Sequence, residues 1–121
     1  MTYVDGFVIP VPAKNIDRYR EMAEAACKVW MKHGALQYVE TVIEDASKHE
    51  GFGLPFTEAF KPQEGETIVF SYIVYKDKAQ RDDINKKVMA DEDLKVFAEK
   101  YADVFDCKRM VYSGFKTIVQ A

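Results

Sequence analysis

One pattern occurs twice in this chain: an alternating apolar segment, a helical stripe, then a second alternating segment. The first copy starts at Tyr3, passes through a helix over Ile16–Lys32 and leaves along Leu36–Glu44. The second starts at Thr67, passes through a helix over Lys78–Ala90 and leaves along Met110–Val119. Two such units predict an α+β fold, a ferredoxin-like βαββαβ sandwich whose four-stranded antiparallel sheet has helices on one face. The 121 residues fit one domain, 1–121.

The strands look apolar on both sides, which bears on assembly. In the first, Tyr3, Phe7, Ile9 and Val11 share one face with Asp5, and Val4 and Val8 take the other. Pro10 and Pro12 are expected to end its ladder, because neither has an N–H to give. In the second, Leu36, Tyr38, Glu40 and Val42 share a face. Ile68, Phe70, Tyr72 and Val74 oppose Val69, Ile73 and Tyr75 in the third, which reads as buried on both sides. Helices cover one face only, so the other predicts a homodimer paired sheet to sheet.

Within the helices, Ile16, Tyr19, Ala23, Ala26 and Trp30 form a stripe that Gly34 terminates. Asp77 with Gln80 reads as a capping pair, and Asp91 as the cap of a further helix carrying Leu94, Phe97, Ala98 and Tyr101. Between them lies a long connection, 45–66, with Gly51, Gly53, Pro55, Pro62 and Gly65. Its Phe52, Leu54, Phe56 and Phe60 are apolar for a loop and predict a lid or a dimer-clasping arm.

Composition narrows the function classes. A formal charge of -3 and a pI near 5.4 argue against nucleic-acid binding. No apolar run approaches the roughly 20 residues that span a bilayer, and the N-terminus enters a strand without a basic leader. Cys27 and Cys107 stand apart in no metal-like spacing, as in a reduced cytoplasmic protein. No HExxH, P-loop, GxGxxG or zinc pattern is present, so neither a cofactor nor a metal is expected.

The candidate chemistry is therefore positional. Asp5, Tyr38, Glu40 and Tyr112 fall on one sheet face if the strands pair suitably, with Arg109 near enough to join them. Carboxylates and phenols in an apolar pocket are a usual form of small-molecule site, and a buried carboxylate has a raised pKa suited to proton transfer. Asp5, His33 and Glu40 are the catalytic candidates; Tyr38, Arg109 and Tyr112 are the ligand-binding ones. The structural alternatives stay open: Asp5 or Glu40 pairing with Arg109, His33 capping a helix, and Arg81 with Asn85 on a solvated face.

Several stretches carry a family resemblance. Tyr3–Val8 (YVDGFV), Gly34–Glu40 (GALQYVE), Phe70–Tyr75 (FSYIVY), Arg81-Asp82, Met89–Asp91 and Phe105–Phe115 (FDCKRMVYSGF) occur in an order that resembles the YbaA-like family of small uncharacterised bacterial proteins. The resemblance covers nearly the whole chain. It implies a dimeric α+β barrel and no established activity. By analogy of fold alone, such barrels include cofactor-free monooxygenases, lactone isomerases and haem-degrading proteins. The expectation is a protein that binds or transforms a small molecule in a pocket between sheet and helices. The alternative is a non-enzymatic dimeric module for regulation or protein contact.

Overall fold

A computed structural model describes residues 1–121. Four strands, β1 (Tyr3–Pro12), β2 (Gln37–Val42), β3 (Glu66–Tyr75) and β4 (Val111–Lys116), form one antiparallel sheet in the order β2-β3-β1-β4. Four α-helices accompany them: α1 (Ile16–Lys32), the short α2 (Phe56–Phe60), α3 (Lys78–Met89) and α4 (Glu92–Lys100). The duplicated strand–helix–strand order is present, with α4 added to the second unit.

Register decides which side chains meet. Tyr38 stands opposite Ile73, which stands opposite Asp5, which stands opposite Gly114. Glu40 likewise faces Ser71, and Ser71 faces Phe7. Side chains alternate along a strand, so with this register Asp5, Tyr38, Glu40 and Tyr112 all lie on the helix-covered side.

Two clusters fill the space between sheet and helices. Ile9, Val11, Tyr19, Ala23, Val69, Tyr101 and Val104 form one, and Val29, Ala35, Ile73, Tyr75, Ile84 and Val88 the other. Phe7 and Phe97 touch both and join them. Helix α1 ends in a Schellman motif. Gly34, at φ +107°, donates to Met31 O, and Ala35 N donates to Trp30 O. That turn sends the chain directly into β2.

All four strands differ in some respect from the sequence expectation. β1 does not end at its prolines but runs on to Pro12 against β3. Odd positions direct their N–H groups to the β3 side, as Ala13 N does to Gly65 O, so the donors missing at Pro10 and Pro12 point toward β4, whose pairing already ends at Val8. β4 stops at Lys116 rather than Val119, and β2 covers only Gln37–Val42. β3 is not buried on both sides throughout: Val69, Ser71 and Ile73 are buried on one face, whereas on the other Ile68 is buried but Phe70 is exposed and Tyr72 and Val74 are half-buried. Its second face belongs to the open side of the sheet.

Candidate functional site

Helix α1 crosses the sheet above β2, and the two do not close against each other. Between them lies a cavity of about 450 Å3. Tyr19, Ala23 and Cys27 reach it from α1, Tyr38 and Glu40 from β2, and Val69 from β3. Helical spacing aligns the α1 group on one face, and period-two alternation aligns Tyr38 with Glu40. β2 is the edge strand of the sheet, so the cavity lies along an edge that no further strand covers.

Glu40 is the polar centre of this cavity. Tyr19 Oη donates to Oε1 at 2.7 Å, and Tyr38 Oη donates to Oε2 at 2.7 Å. Burial raises the Glu40 pKa above the ordinary carboxylate value, while the Tyr19, Tyr38 and Ser71 hydroxyls pull it down only in part. Burial and the nearby Glu40 charge push both phenols up, burial being the larger cause in each. The Cys27 thiol is raised for the same two reasons. Both phenols therefore keep their protons as donors, and Glu40 is the group of this cluster that exchanges one.

The other candidates lie elsewhere. Asp5 is buried against Arg81, whose Nε donates to both its oxygens at 3.1 Å. It does not line the cavity. Arg109 does not reach Asp5 or Glu40; it pairs with Glu66 at the far end of β3. The reason is that the turn before β4 delivers it to the Val8–Pro12 end of β1, opposite the start of β3. His33 is not at the cavity mouth, because its ring bonds Asp91 at 2.6 Å beneath the α3–α4 junction. Tyr112 stacks on Phe7 with centroids 6.4 Å apart but is otherwise exposed on edge strand β4.

Sequence reasoning missed Tyr19 and Arg81. Tyr19 sat on the α1 apolar stripe and read as core, with nothing in its spacing to mark its hydroxyl. Arg81 read as a solvated residue, yet it spans from α3 to the buried carboxylate on β1. The connection 45–66 also lies differently from a lid over these groups. Phe56 packs edge-on against Phe70 at 6.0 Å, and Phe70 projects from the face opposite Glu40.

Comparison with known proteins agrees with this architecture. A family model described as a protein of unknown function, DUF1428, matches residues 2–107. The chain belongs to that family. The uncharacterized protein YbaA of Escherichia coli K12 is 44% identical over 119 residues, covering 98% of each chain, and YbaA of Shigella flexneri matches equally. Among solved structures, Rv0793 from Mycobacterium tuberculosis superposes with a TM-score of 0.56 at 10% identity, covering 100% of this chain and 99% of its own. SnoaB, a cofactor-independent oxygenase from Streptomyces nogalater, superposes at 0.53 and 9% identity, covering 98% and 95%. At such identities the likeness is one of fold, an α+β barrel-like one.

Proposed function

We propose that this protein binds a small, largely apolar molecule in the α1–β2 cavity and that Glu40 exchanges a proton with it. The observation that carries this reading is a carboxylate held by two phenols on the wall of an otherwise mostly apolar space of about 450 Å3. Such a space is of small-molecule size, and a few convergent polar groups are what fixes a ligand's orientation. A carboxylate with a raised pKa is a suitable acid and base near neutral pH. The cofactor-independent oxygenase among the fold neighbours is consistent with chemistry done by side chains alone on this scaffold, as an analogy of fold.

A thermal-shift panel of acidic, neutral and basic metabolites tests it. A ligand present at 100 times its Kd stabilises the folded state by about 2.7 kcal/mol, or roughly 10 °C for a domain of this size. The expected result is a compound that raises the melting temperature of the unaltered protein and not of Glu40→Gln. A panel that moves neither, with no small molecule carried through native mass spectrometry, overturns the reading.

The open sheet face supports a second inference, a two-fold homodimer. Phe70, Val111 and Phe115 are exposed on it at 45%, 55% and 57%. A standard interface buries about 800 Å2 per partner, and an apolar sheet face that is its own best complement suits an isologous contact. Phe115→Asp is expected to convert a dimer into a monomer in light scattering. An unaltered protein already monomeric at micromolar concentration would contradict the dimer and favour a partner of another kind.

A further inference from the structure

Four carboxylates in the chain are buried or half-buried: Asp5, Glu40, Glu66 and Asp91. Three of them face a cation. Asp5 has Arg81, Glu66 has Arg109, and Asp91 has both Lys32 and His33. Glu40 has two phenols and no base within ion-pair distance. A partly buried carboxylate without a counter-ion is costly, and proteins ordinarily pair such groups. Here the unpaired one opens onto a cavity.

The rest of the lining does not compensate. Asp17 and Glu24 add two acids, and the one base, Arg20, is already bonded to Asp17 at 3.3 Å. Each Glu40 oxygen accepts one phenol hydrogen bond, and a carboxylate oxygen has capacity for a second. Around it stand the rings of Tyr19 and Tyr38 and the apolar Ala23 and Val69. Aromatic rings and a carboxylate with spare acceptor sites together suit an organic cation.

We infer that the ligand of the α1–β2 cavity is an apolar primary or secondary amine, whose ammonium group supplies the counter-ion that Glu40 lacks. The inference rests on the proposed ligand-binding role of that cavity and specifies the charge of what enters it. Charge balance follows directly. Where Glu40 is protonated in the empty site, binding of the ammonium ion releases one proton to solvent; where it is ionised, none is released. The groups facing Glu40 during this change are Tyr19 and Cys27 from α1, Tyr38 on its own strand and Ser71 from β3.

Three compounds of matched size separate the possibilities: 3-phenylpropylamine, 3-phenylpropanol and 3-phenylpropanoate. Calorimetric titration at pH 8 is expected to rank the amine about tenfold or more above the alcohol, since a hydrogen bond to a charged group contributes about 1.5–3 kcal/mol. The acid should bind weakest. In Glu40→Gln the amine should fall to within a few-fold of the alcohol, while the alcohol is little changed. Amine affinity should also decline as pH is lowered through the Glu40 ionisation, and alcohol affinity should not. If the alcohol or the acid equals the amine in the unaltered protein, the inference on charge fails and the ligand-binding reading stands. If none of the three binds, the amine inference fails, and the broad thermal-shift panel decides the ligand-binding reading independently.

Discussion

Arg81 joins the second helical unit to the sheet through an ion pair with the buried Asp5. Its guanidinium holds both oxygens of Asp5, bonds Asp82 at 2.7 Å and lies 5.0 Å from the centroid of the Tyr3 ring. Room for this arrangement comes from Gly114 on the adjacent strand, where a methyl group would overlap both the Tyr3 hydroxyl and the Arg81 Nη2. Removing one member of a buried pair leaves an uncompensated charge, which costs more than losing the pair. Arg81→Ala should therefore destabilise by about 3 kcal/mol, with Asp5→Asn/Arg81→Ala costing less than the sum of the single changes. Urea unfolding of the three variants measures this, and additive costs would mean that the pair is not coupled. Gly114→Ala should lower stability by displacing both side chains. Tyr75 presents the opposite case. Its hydroxyl is buried without a hydrogen-bond partner, so Tyr75→Phe should be neutral or stabilising by up to about 1 kcal/mol.

The helices are tied down by their ends as much as by their faces. Asp91 caps α4 by accepting from Asp93 N at 2.8 Å, and it also takes Lys32 at 2.7 Å and His33 at 2.6 Å from the end of α1. Hydrogen bonds from Lys32 first, then from His33, hold its carboxyl well below the usual range. A depressed folded pKa gives stability that is present above the ordinary value of 3.8 and is lost as pH falls below it. Asp91→Asn should then be less stable than the unaltered protein at pH 7, and the gap in melting temperature should close toward pH 3. Glu40 on β2 has the opposite sign. Its folded pKa is raised, so its favourable contribution is complete below the ordinary value of 4.5 and disappears as pH rises through the higher folded value. Melting temperatures of Glu40→Gln, measured without ligand, should match the unaltered protein near pH 4 and exceed it at pH 8, although the variant binds the amine more weakly. A variant less stable at pH 8 would assign Glu40 a structural role instead.

At the scale of the molecule, one sheet face is packed and one is open. The packed face depends on Ile73, 4% exposed near the C-terminal end of β3, and Ile73→Ala should cost about 2–5 kcal/mol by the cavity it leaves. On the open face Phe70 packs against Phe56 while Val111 and Phe115 are exposed, and Phe52 and Leu54 on the 45–66 connection stand out at 80% and 59% exposure. No helix is long and apolar enough to cross a membrane. A dimer would cover the sheet face opposite the one from which Glu40 projects. Phe115→Asp should thus break a dimer and leave ligand binding by the monomer measurable.

Much of this architecture was legible in residue order. Periods of two and 3.6 are local properties, so Tyr3–Val11, Ile16–Lys32 and Thr67–Tyr75 could be read directly, as could the caps at Gly34, Asp77 and Asp91. The same alternation paired Tyr38 with Glu40 on one face of their strand, and left the shared face with Asp5 and Tyr112 to the strand pairing. It could not say how far apart they lie along that face or what stands over each. Those facts come from strand order and from the position of α1 above edge strand β2. Tyr19 meets Glu40, and Arg81 rather than Arg109 meets Asp5, because helices are long-range neighbours of strands and their side chains are matched only in three dimensions. The sequence by itself thus determined the elements and their apolar faces, since these follow from spacing along one chain. The tertiary structure alone decided which carboxylates gained a cation and which one was left facing a cavity, since a counter-ion is set by distance through space.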